Sequence, residues 1–165
     1  MNSKKQTFLQ ITNQNRGLIR SLCQLYFGSA EDQKDAFQDV ILQLWKSFDS
    51  FRGEAAISTW IYRVSLNTIL AIIRKEKKVV AVEPIDERHL LISNAKADDD
   101  VELLLIIIQS LKDIDKAIVI LHLEGYQNKE IAEILHLSPS NVSTRFNRIK
   151  ARLKAKFNKQ YHASK

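Results

Sequence analysis

The most informative stretch of the chain is residues 128–149, which read NKEIAEILHLSPSNVSTRFNRI. Apolar residues recur at helical spacing on both sides of a short interruption at residues 136–138. The pair Ser138-Pro139 closes this interruption, and a capping serine followed by proline at the first helical position is a typical helix start. Two short helices joined by such a turn predict a helix-turn-helix.

Each of the two predicted helices separates an inner face from an outer face. In the first helix, Asn128 can cap the N-terminus, and Ile131, Ala132 and Leu135 form the inner face. The second helix is expected to continue to about Phe157. Its inward positions recur at i, i+4, i+7 and i+11, and they hold Val142, Phe146, Ile149 and Leu153.

The outer face of the second helix is polar and basic, which predicts contact with DNA. Hydroxyl, amide and guanidinium groups can donate to or accept from base edges, and neighbouring cations suit phosphates. An ordinary amphipathic surface helix is the alternative, but turn, caps, inner face and charge together favour DNA binding. The predicted DNA-contacting residues are Ser140, Ser143, Thr144, Arg145, Asn147 and Arg148, with Lys150, Arg152, Lys154 and Lys156 as flanking phosphate contacts.

The charge distribution also favours a polyanionic partner. The 165 residues carry a formal net charge of +6. Residues 1–78 hold 12 basic and 7 acidic side chains, residues 79–125 hold 4 and 10, and residues 126–165 hold 9 and 2. Two basic blocks around an acidic middle are more typical of folded segments that meet a polyanion than of plain surface solvation.

Composition predicts an all-α protein. The chain has only four glycines and two prolines, and 45% of its residues are hydrophobic, which is enough for a core. Pro84 and the acidic run at residues 98–100 mark residues 79–100 as a flexible linker. We therefore expect two small helical domains, residues 1–78 and residues 101–165, with the helix-turn-helix at the C-terminus.

Five helices are expected before the helix-turn-helix. Their expected bounds are residues 7–27 with a break near Gly17, 30–48 with Ser29 as cap, 58–78 with Ser58 as cap, 101–111, and 113–124 ended by Gly125. The expected inner face of the helix at residues 30–48 carries Ala36, Phe37, Val40, Ile41, Leu44, Trp45 and Phe48. The helix at 101–111 is apolar on nearly every side, so it needs partners on more than one face.

Several function classes find no support. The single cysteine, Cys23, excludes a disulfide within the chain and a cysteine zinc site, and it is expected to be a small buried hydrophobe. The four histidines belong to no metal-ligand motif, and no nucleophile motif or phosphate loop is present, so no catalytic residue, metal or cofactor is expected. His122 and His136 fit partly buried or turn positions. No signal peptide follows Met1, and residues 103–108 are too short to span a bilayer, so a cytoplasmic protein without membrane insertion is expected.

Three further segments carry a resemblance that extends over both halves of the chain. They are residues 35–45 (DAFQDVILQLW), residues 51–67 (FRGEAAISTWIYRVSLN), and residues 111–132, which begin LKDIDKAIVILHL. In this order, the chain resembles a sigma factor of the extracytoplasmic-function (ECF) class in the sigma-70 family. The resemblance implies two helical domains that bind core RNA polymerase, recognise the promoter −10 and −35 elements and help open the DNA. It also implies an anti-sigma factor as a partner.

The resemblance places polymerase docking on the helix at residues 35–45. Docking needs an exposed acidic and polar face on a rigid helix, and such residues lie off the apolar stripe there. An acidic outer face is otherwise usually only solvated. The residues expected to bind polymerase are Asp35, Gln38, Asp39, Leu42 and Gln43.

The resemblance places −10 recognition on the loop at residues 51–56 and the helix after it. Opening DNA needs a pocket for an unstacked base and cations for the displaced strand. For Trp60 the pattern favours core packing, whereas Tyr62 fits either core or DNA. The expected −10 residues are Phe51, Arg52, Gly53, Glu54, Ala55, Arg63, Asn67, Arg74 and Lys75.

Two departures from the family pattern fall in the recognition helix. Many family members carry arginine where this chain has Ser143, and an aromatic or larger residue where it has Asn147. The base preference at −35 is therefore expected to differ from theirs.

Two alternative functions fit the sequence less well. A helix-turn-helix regulator with an N-terminal effector domain would not need the features of residues 35–75, and an enzyme would need a site that the sequence lacks. For the apolar stretch at residues 103–108, we hypothesise packing against the other domain or an anti-sigma factor when DNA is absent.

Overall fold

In the computed structural model, residues 2–79 and 99–163 are described, and all their regular structure is helical. The chain divides between His89 and Leu90 into two compact units, called unit 1 and unit 2. This confirms the all-α expectation, whereas the expected flexible linker lies almost entirely outside the described residues. Unit 1 contains α1 (Asn2–Gln14), α2 (Arg16–Tyr26), α3 (Ala30–Ser47), a short 3-10 turn (Phe48–Ser50) and α4 (Ile57–Val79). Unit 2 contains α5 (Asp99–Gln109), α6 (Asp113–Leu123), α7 (Asn128–Leu135) and α8 (Pro139–Ala163).

The break between α1 and α2 occurs at Asn15, two residues before the expected position. The Asn15 side-chain amide donates to the Ile11 carbonyl at 2.8 Å, which occupies an acceptor at the end of α1. Gly17 itself lies inside α2. Helix α1 begins at Asn2, five residues earlier than predicted. The apolar pattern missed this start because the first residues of the helix are all polar and exposed.

The start of α3 confirms the predicted cap. The Asp32 backbone N–H donates to the Ser29 hydroxyl at 3.0 Å, which satisfies a donor that the helix leaves unpaired. Glu31 and Asp32 place two carboxylates in the first turn, where the helix dipole favours negative charge. The start of α4 differs from the prediction: Trp60 N–H bonds to the Ala56 carbonyl at 3.2 Å, so the helix has already begun at Ile57 and Ser58 lies within its first turn.

The core of unit 1 lies between α2, α3 and α4. Its fully buried side chains include Ile19, Val40, Leu44, Ile61, Leu66 and Ile69. Cys23 is 1% exposed, which confirms the expected buried hydrophobe, and burial raises the pKa of its thiol to about 11. Trp60 and Tyr62 are also buried, so Tyr62 is a core residue rather than an exposed contact.

The apolar stripe of α3 is wider than the core that covers it. The expected inner face included Phe37, Ile41 and Trp45, but none of the three is buried, and Trp45 is 39% exposed. The reason is that α2 and α4 cover only the arc centred on Val40 and Leu44. The outer apolar side chains of α3 therefore remain available to line a surface feature.

Unit 2 contains the predicted helix-turn-helix in α7 and α8. Gly125 adopts φ +91° and ends α6, as predicted, and Tyr126 N–H bonds to the Leu121 carbonyl at 3.0 Å. The cap of α7 is Gln127 rather than Asn128, because Gln127 and Glu130 satisfy each other reciprocally. The Gln127 backbone N–H donates to the Glu130 carboxylate at 2.8 Å, and the Gln127 side chain accepts from the Glu130 backbone.

The turn between α7 and α8 is built by His136, Leu137 and Ser138. His136 adopts the left-handed conformation with φ 56°, and Leu137 N–H bonds to the Ala132 carbonyl at 2.9 Å. The Ser138 hydroxyl accepts from Asn141 N–H at 3.1 Å, which confirms the predicted cap at the start of α8. The turn thereby fixes where α8 begins.

Candidate nucleic-acid interface

The outer face of α8 forms a continuous polar row. Ser140, Thr144, Asn147 and Arg148 are exposed, and Ser143 is half-buried among them. On the opposite side of the helix, Val142 and Ile149 are at most 1% exposed. Because side chains three and four residues apart share a helix face, burial of the inner positions holds the polar row toward solvent. These polar and cationic groups can contact base edges and phosphates. We call Ser140, Ser143, Thr144, Asn147 and Arg148 the α8 row.

Arg145 differs from the other predicted DNA-contacting residues. Its Nη1 donates to Asp115 Oδ1 at 2.9 Å, and its Nε donates to Asn141 Oδ1 at 2.9 Å. Asp115 lies in the first turn of α6 and is 8% exposed. The guanidinium of Arg145 is thus engaged inside unit 2, and we do not retain it among the proposed DNA contacts.

The predicted phosphate contacts also divide into two groups. Arg152 and Lys154 are exposed, and Lys150 Nζ lies 4.9 Å from the centroid of the Phe146 ring. Lys156 Nζ donates to the Ser110 hydroxyl at 3.0 Å and so connects the C-terminal part of α8 to the end of α5. Lys156 is therefore less available to a phosphate than its neighbours.

An aromatic stack that the sequence pattern did not show connects α6 to α8. The rings of His122 and Phe146 are parallel within 16°, with centroids 3.6 Å apart. Burial lowers the pKa of the His122 imidazole below its ordinary value of 6.5, the side chain of Asn128 opposes this shift, and the positive charge of Lys150 adds to it. His122 is therefore mostly neutral at pH 7 and packs as an apolar ring. The partly buried position predicted for it is confirmed.

A second exposed surface lies on α3 in unit 1. All five residues expected to bind polymerase are exposed, and Leu42 is 47% exposed. We call these residues the α3 row; they are Asp35, Gln38, Asp39, Leu42 and Gln43. Its acidic and polar groups are held toward solvent on an 18-residue helix with a buried opposite face.

An apolar groove of about 390 Å³ adjoins the α3 row, and we call it the α1–α3 groove. Its lining is Phe8, Phe37, Gln38, Ile41, Leu42 and Trp45. Cations border it, since Lys4 Nζ lies 5.1 Å from the Trp45 ring and the Arg16 guanidinium lies 5.5 Å from the Phe37 ring. Sequence periodicity missed this groove because it assigned the same apolar residues to the core.

The predicted −10 residues follow the loop at residues 51–56 and the length of α4. Arg52, Gly53 and Glu54 are exposed, and Gly53 adopts φ +73°, which favours glycine in this turn. Phe51 is half-buried, with its ring centroid 5.1 Å from that of Trp60. The loop therefore rests on the core through Phe51 while its tip remains open to solvent.

The predicted −10 residues on α4 form an extended, mainly cationic track rather than a single pocket. On α4, Arg63 and Asn67 are half-buried, whereas Arg74 and Lys75 are exposed. Arg63 and Arg74 are separated along the helix axis by about 16 Å, at 1.5 Å per residue. Such a track suits a strand backbone better than a single base. Ala55, the remaining predicted residue, is half-buried beside the loop tip.

Within residues 2–79 and 99–163, no group of three or more histidine, cysteine, aspartate or glutamate side chains is arranged to hold a metal ion. In the same part of the chain, no helix combines the length and the apolar character needed to cross a membrane.

Two family models match the two units. The model for sigma-70 region 2 matches residues 11–79, and the model for sigma-70 region 4 matches residues 102–153. The chain belongs to the sigma-70 family. Region 2 thus includes α3 and α4, and region 4 includes the helix-turn-helix. The alternative of a regulator with an N-terminal effector domain is not favoured, because residues 11–79 match region 2.

Curated relatives place this sigma factor in the ECF class. It is 28% identical over 151 residues to the ECF RNA polymerase sigma factor SigM of Mycobacterium tuberculosis, covering 88% of this chain and 74% of the relative. It is 26% identical over 167 residues to the ECF sigma-E factor of Haemophilus influenzae, covering 92% and 88%. It is 24% identical over 156 residues to SigW of Bacillus subtilis, covering 86% and 83%. Its function is promoter recognition and transcription initiation with RNA polymerase.

Solved structures share the fold. The sigma factor RpoE of Bartonella quintana, crystallised with the anti-sigma factor NepR, has a TM-score of 0.75 at 18% identity, covering 96% of this chain and 98% of that one. CnrH in complex with the cytosolic domain of CnrY has a TM-score of 0.64 at 18% identity, covering 93% and 89%.

Proposed function

We propose that this sigma factor binds core RNA polymerase through unit 1 and contacts promoter DNA through both units. The observation that carries the proposal is that one chain presents the α3 row and the α8 row, each inside a matched sigma region. A free-standing DNA-binding protein has no use for the first surface. Unit 1 therefore delivers the helix-turn-helix to DNA as part of a larger complex.

Polymerase docking is assigned to the α3 row together with the α1–α3 groove. An apolar groove beside carboxylates suits a partner helix that carries apolar side chains on one face and cations at its edge. Asp35 and Asp39 are exposed one helical turn apart and present two negative charges to such an edge. Leu42 joins the two surfaces, because it belongs to the row and lines the groove.

The −10 element is assigned to the loop at residues 51–56 and the cationic track on α4. The loop tip is exposed and supplies polar groups that an unstacked base can meet. Arg74 and Lys75 lie farther along α4 and suit the phosphates of the displaced strand. The loop thus contacts the unstacked base, and the cationic track binds the phosphates of the displaced strand.

The −35 element is assigned to the α8 row. Ser143 and Asn147 are short, so each offers few contacts, and binding by unit 2 alone is expected to be weak. Once one unit of the polymerase-bound chain has bound its promoter element, the other unit is held near its own element at a high effective concentration. Most promoter selectivity therefore comes from using both contacts together.

An anti-sigma protein is the proposed regulatory partner. The solved structures of similar fold, RpoE and CnrH, are complexes with NepR, an anti-sigma factor, and with the cytosolic domain of CnrY. Helix α5 leaves Val101, Leu104 and Leu105 exposed by 48%, 36% and 39%. This apolar face of α5 supports the hypothesis of a covering partner when DNA is absent. The protein itself is proposed to be non-catalytic and to act in the cytoplasm, where the polymerase acts.

Run-off transcription with purified core polymerase and a promoter library tests the proposal. We expect the protein to select discrete start sites that share −10 and −35 sequences. Promoter-complex formation should weaken clearly between low and moderate salt, because counterions return to the phosphates. A library that yields no selected start sites would contradict the proposal.

A further inference from the structure

Arg145 lies in the middle of the recognition helix, but its guanidinium is turned away from the α8 row. Its guanidinium has two partners: Nη1 donates to Asp115 on α6, and Nε donates to Asn141 one turn earlier on α8. The ion pair with Asp115 measures 2.9 Å, and the side chains of Arg145 and Asp115 are 36% and 12% exposed. Because its carboxylate is largely buried, this pair is less screened by salt than a pair of two exposed side chains.

The Asp115 carboxylate gives this contact its importance. It is nearly buried, and a buried carboxylate that loses its cation carries a large desolvation penalty. If Arg145 swung out to a phosphate, Asp115 would lose this ion pair and keep the stabilisation that the N-terminus of α6 gives to a carboxylate in its first turn. The exposed cations Arg148 and Arg152 can meet phosphates without breaking any such contact inside the unit.

The contact also restrains the rotation of α8 about its own axis, in addition to the burial of Val142 and Ile149. Successive residues on a helix are turned by about 100°, so holding the side that bears Arg145 against α6 determines where Thr144 and Asn147 point. Because Asp115 is 30 residues away in sequence, the contact ties α8 to a separate helix. A small rotation would displace every member of the α8 row at once.

We infer that Arg145 and Asp115 are positioning residues for −35 recognition, and that Arg145 makes no direct contact with DNA. The inference rests on the proposed assignment of the −35 element to the α8 row. It changes the role that the sequence pattern predicted for Arg145. The α8 row selects the bases, and the Arg145–Asp115 pair presents the row to them.

The test uses the full-length sigma factor bound to core polymerase, with duplexes whose −35 element was selected from the promoter library. The variants are Arg145→Gln, Asp115→Asn and the double variant, with Arg152→Ala as the matched loss of a cation on α8. Two quantities are measured: the ratio of affinities for the selected and a mismatched −35 element, and the slope of log affinity against log salt. Circular dichroism sets a temperature at which every variant is folded.

We expect Arg145→Gln and Asp115→Asn each to lower the affinity ratio by roughly fivefold or more, as for a site coupled to the DNA-contacting row. The salt slope should stay at the wild-type value, and the double variant should be no worse than either single variant. Arg152→Ala should lower the slope by about 0.9, the effect of one phosphate contact, while keeping the ratio.

Three results would overturn the inference. If Arg145→Gln lowers the slope by about 0.9 while Asp115→Asn keeps the wild-type ratio, Arg145 contacts DNA directly. If both variants keep the wild-type ratio and only lose stability, the pair is a structural contact without a role in positioning. If the wild-type protein shows no −35 preference at all, the assignment of the α8 row is wrong, and the inference fails with it.

Discussion

The ring of Phe8 on α1 packs edge-on against the ring of Trp45 on α3, with centroids 5.0 Å apart and planes at 69°. Phe8 is 5% exposed, whereas Trp45 is 39% exposed. A buried ring therefore supports a partly exposed one, and both line the α1–α3 groove. The N-terminal helix thus contributes to the surface that we assign to polymerase docking.

Truncation of Phe8 should destabilise unit 1 and weaken polymerase binding. Phe8→Ala removes a buried ring that contacts both Trp45 and Phe48, and such changes cost about 3 kcal/mol or more. Urea unfolding followed by tryptophan fluorescence measures this loss. The neighbouring change Leu9→Ala, at a residue 47% exposed, should cost under about 0.5 kcal/mol. Equal costs for the two variants would show that α1 does not build the groove.

Reversal of one charge on the α3 row should weaken polymerase binding. Asp39→Arg replaces an exposed carboxylate with a cation, which should repel the basic edge expected on the partner and lower affinity roughly tenfold or more. Binding to core polymerase is measured by fluorescence anisotropy, and the thermal unfolding of unit 2 should be unchanged. Glu76→Arg makes the same charge change at an exposed position near the end of α4 and should retain wild-type affinity. Undiminished binding by Asp39→Arg would reject the docking assignment.

Loss of a cation from the α8 row should weaken −35 recognition alone. Arg148→Ala should cost about 1–3 kcal/mol of −35 affinity if Arg148 contacts a base, and it should spare polymerase binding. Competition with a scrambled −35 element measures this loss. Lys159→Ala removes another exposed cation 11 residues farther along α8, about 16 Å away, and should have little effect. A matching loss in both variants would indicate only nonspecific attraction to DNA.

The His122–Phe146 stack should make the stability of unit 2 sensitive to mild acid. Burial lowers the pKa of His122 in the folded state. Between the unfolded pKa near 6.5 and the lower folded pKa, the unfolded chain therefore binds more protons than the folded one. The contribution of neutral His122 to the free energy of unfolding is present above pH 6.5 and is lost as the pH falls through this range. Denaturant unfolding at several pH values, with an NMR titration of the imidazole, measures this effect.

The control for this pH effect is His122→Phe, which keeps a ring against Phe146 but cannot take up a proton. Its unfolding free energy should change less between pH 7 and pH 5 than that of the wild-type protein. An identical pH dependence in both proteins would assign the effect to other groups.

The turn of the helix-turn-helix should gain stability from glycine at position 136. His136 adopts φ 56°, where a side chain with a Cβ is strained by about 1 kcal/mol or more. His136→Gly should raise the unfolding free energy of unit 2 by about that amount, since glycine is the usual residue at this helix end. His136→Ala keeps the Cβ and should stay near the wild-type value. Thermal unfolding compares the three proteins, and a destabilised glycine variant would show that the imidazole itself stabilises the turn.

Local signals were sufficient for the helices and most of their ends. The cap at Ser29, the stop at Gly125 and the Ser138-Pro139 start depend on residues within one turn of each other, so they can be recognised in the sequence. The cap of α7 shows the limit of such signals. Gln127 and Asn128 are both polar residues at a helix start, and only the reciprocal bonds between Gln127 and Glu130 distinguish them.

The candidate surfaces were only partly predictable. Periodicity identified the exposed positions of the α3 row, because the side of a helix opposite its most apolar stripe is usually solvated. It could not show that Phe37, Ile41 and Trp45 would remain outside the core, because that depends on how much of α3 the other helices cover.

The amino-acid sequence is sufficient to predict the helices of residues 2–79 and 99–163 in approximate outline, the helix-turn-helix and the similarity to sigma factors, because each of these follows from short-range spacing or from ordered motifs. The contacts of Arg145 with Asp115 and of Phe8 with Trp45 became visible in the folded structure alone. These pairs are 30 and 37 residues apart in sequence, and a periodic pattern carries no information about which distant side chains meet. The partner of a buried charge or ring is the side chain that a neighbouring helix places against it, and the crossing of the two helices determines which side chain that is.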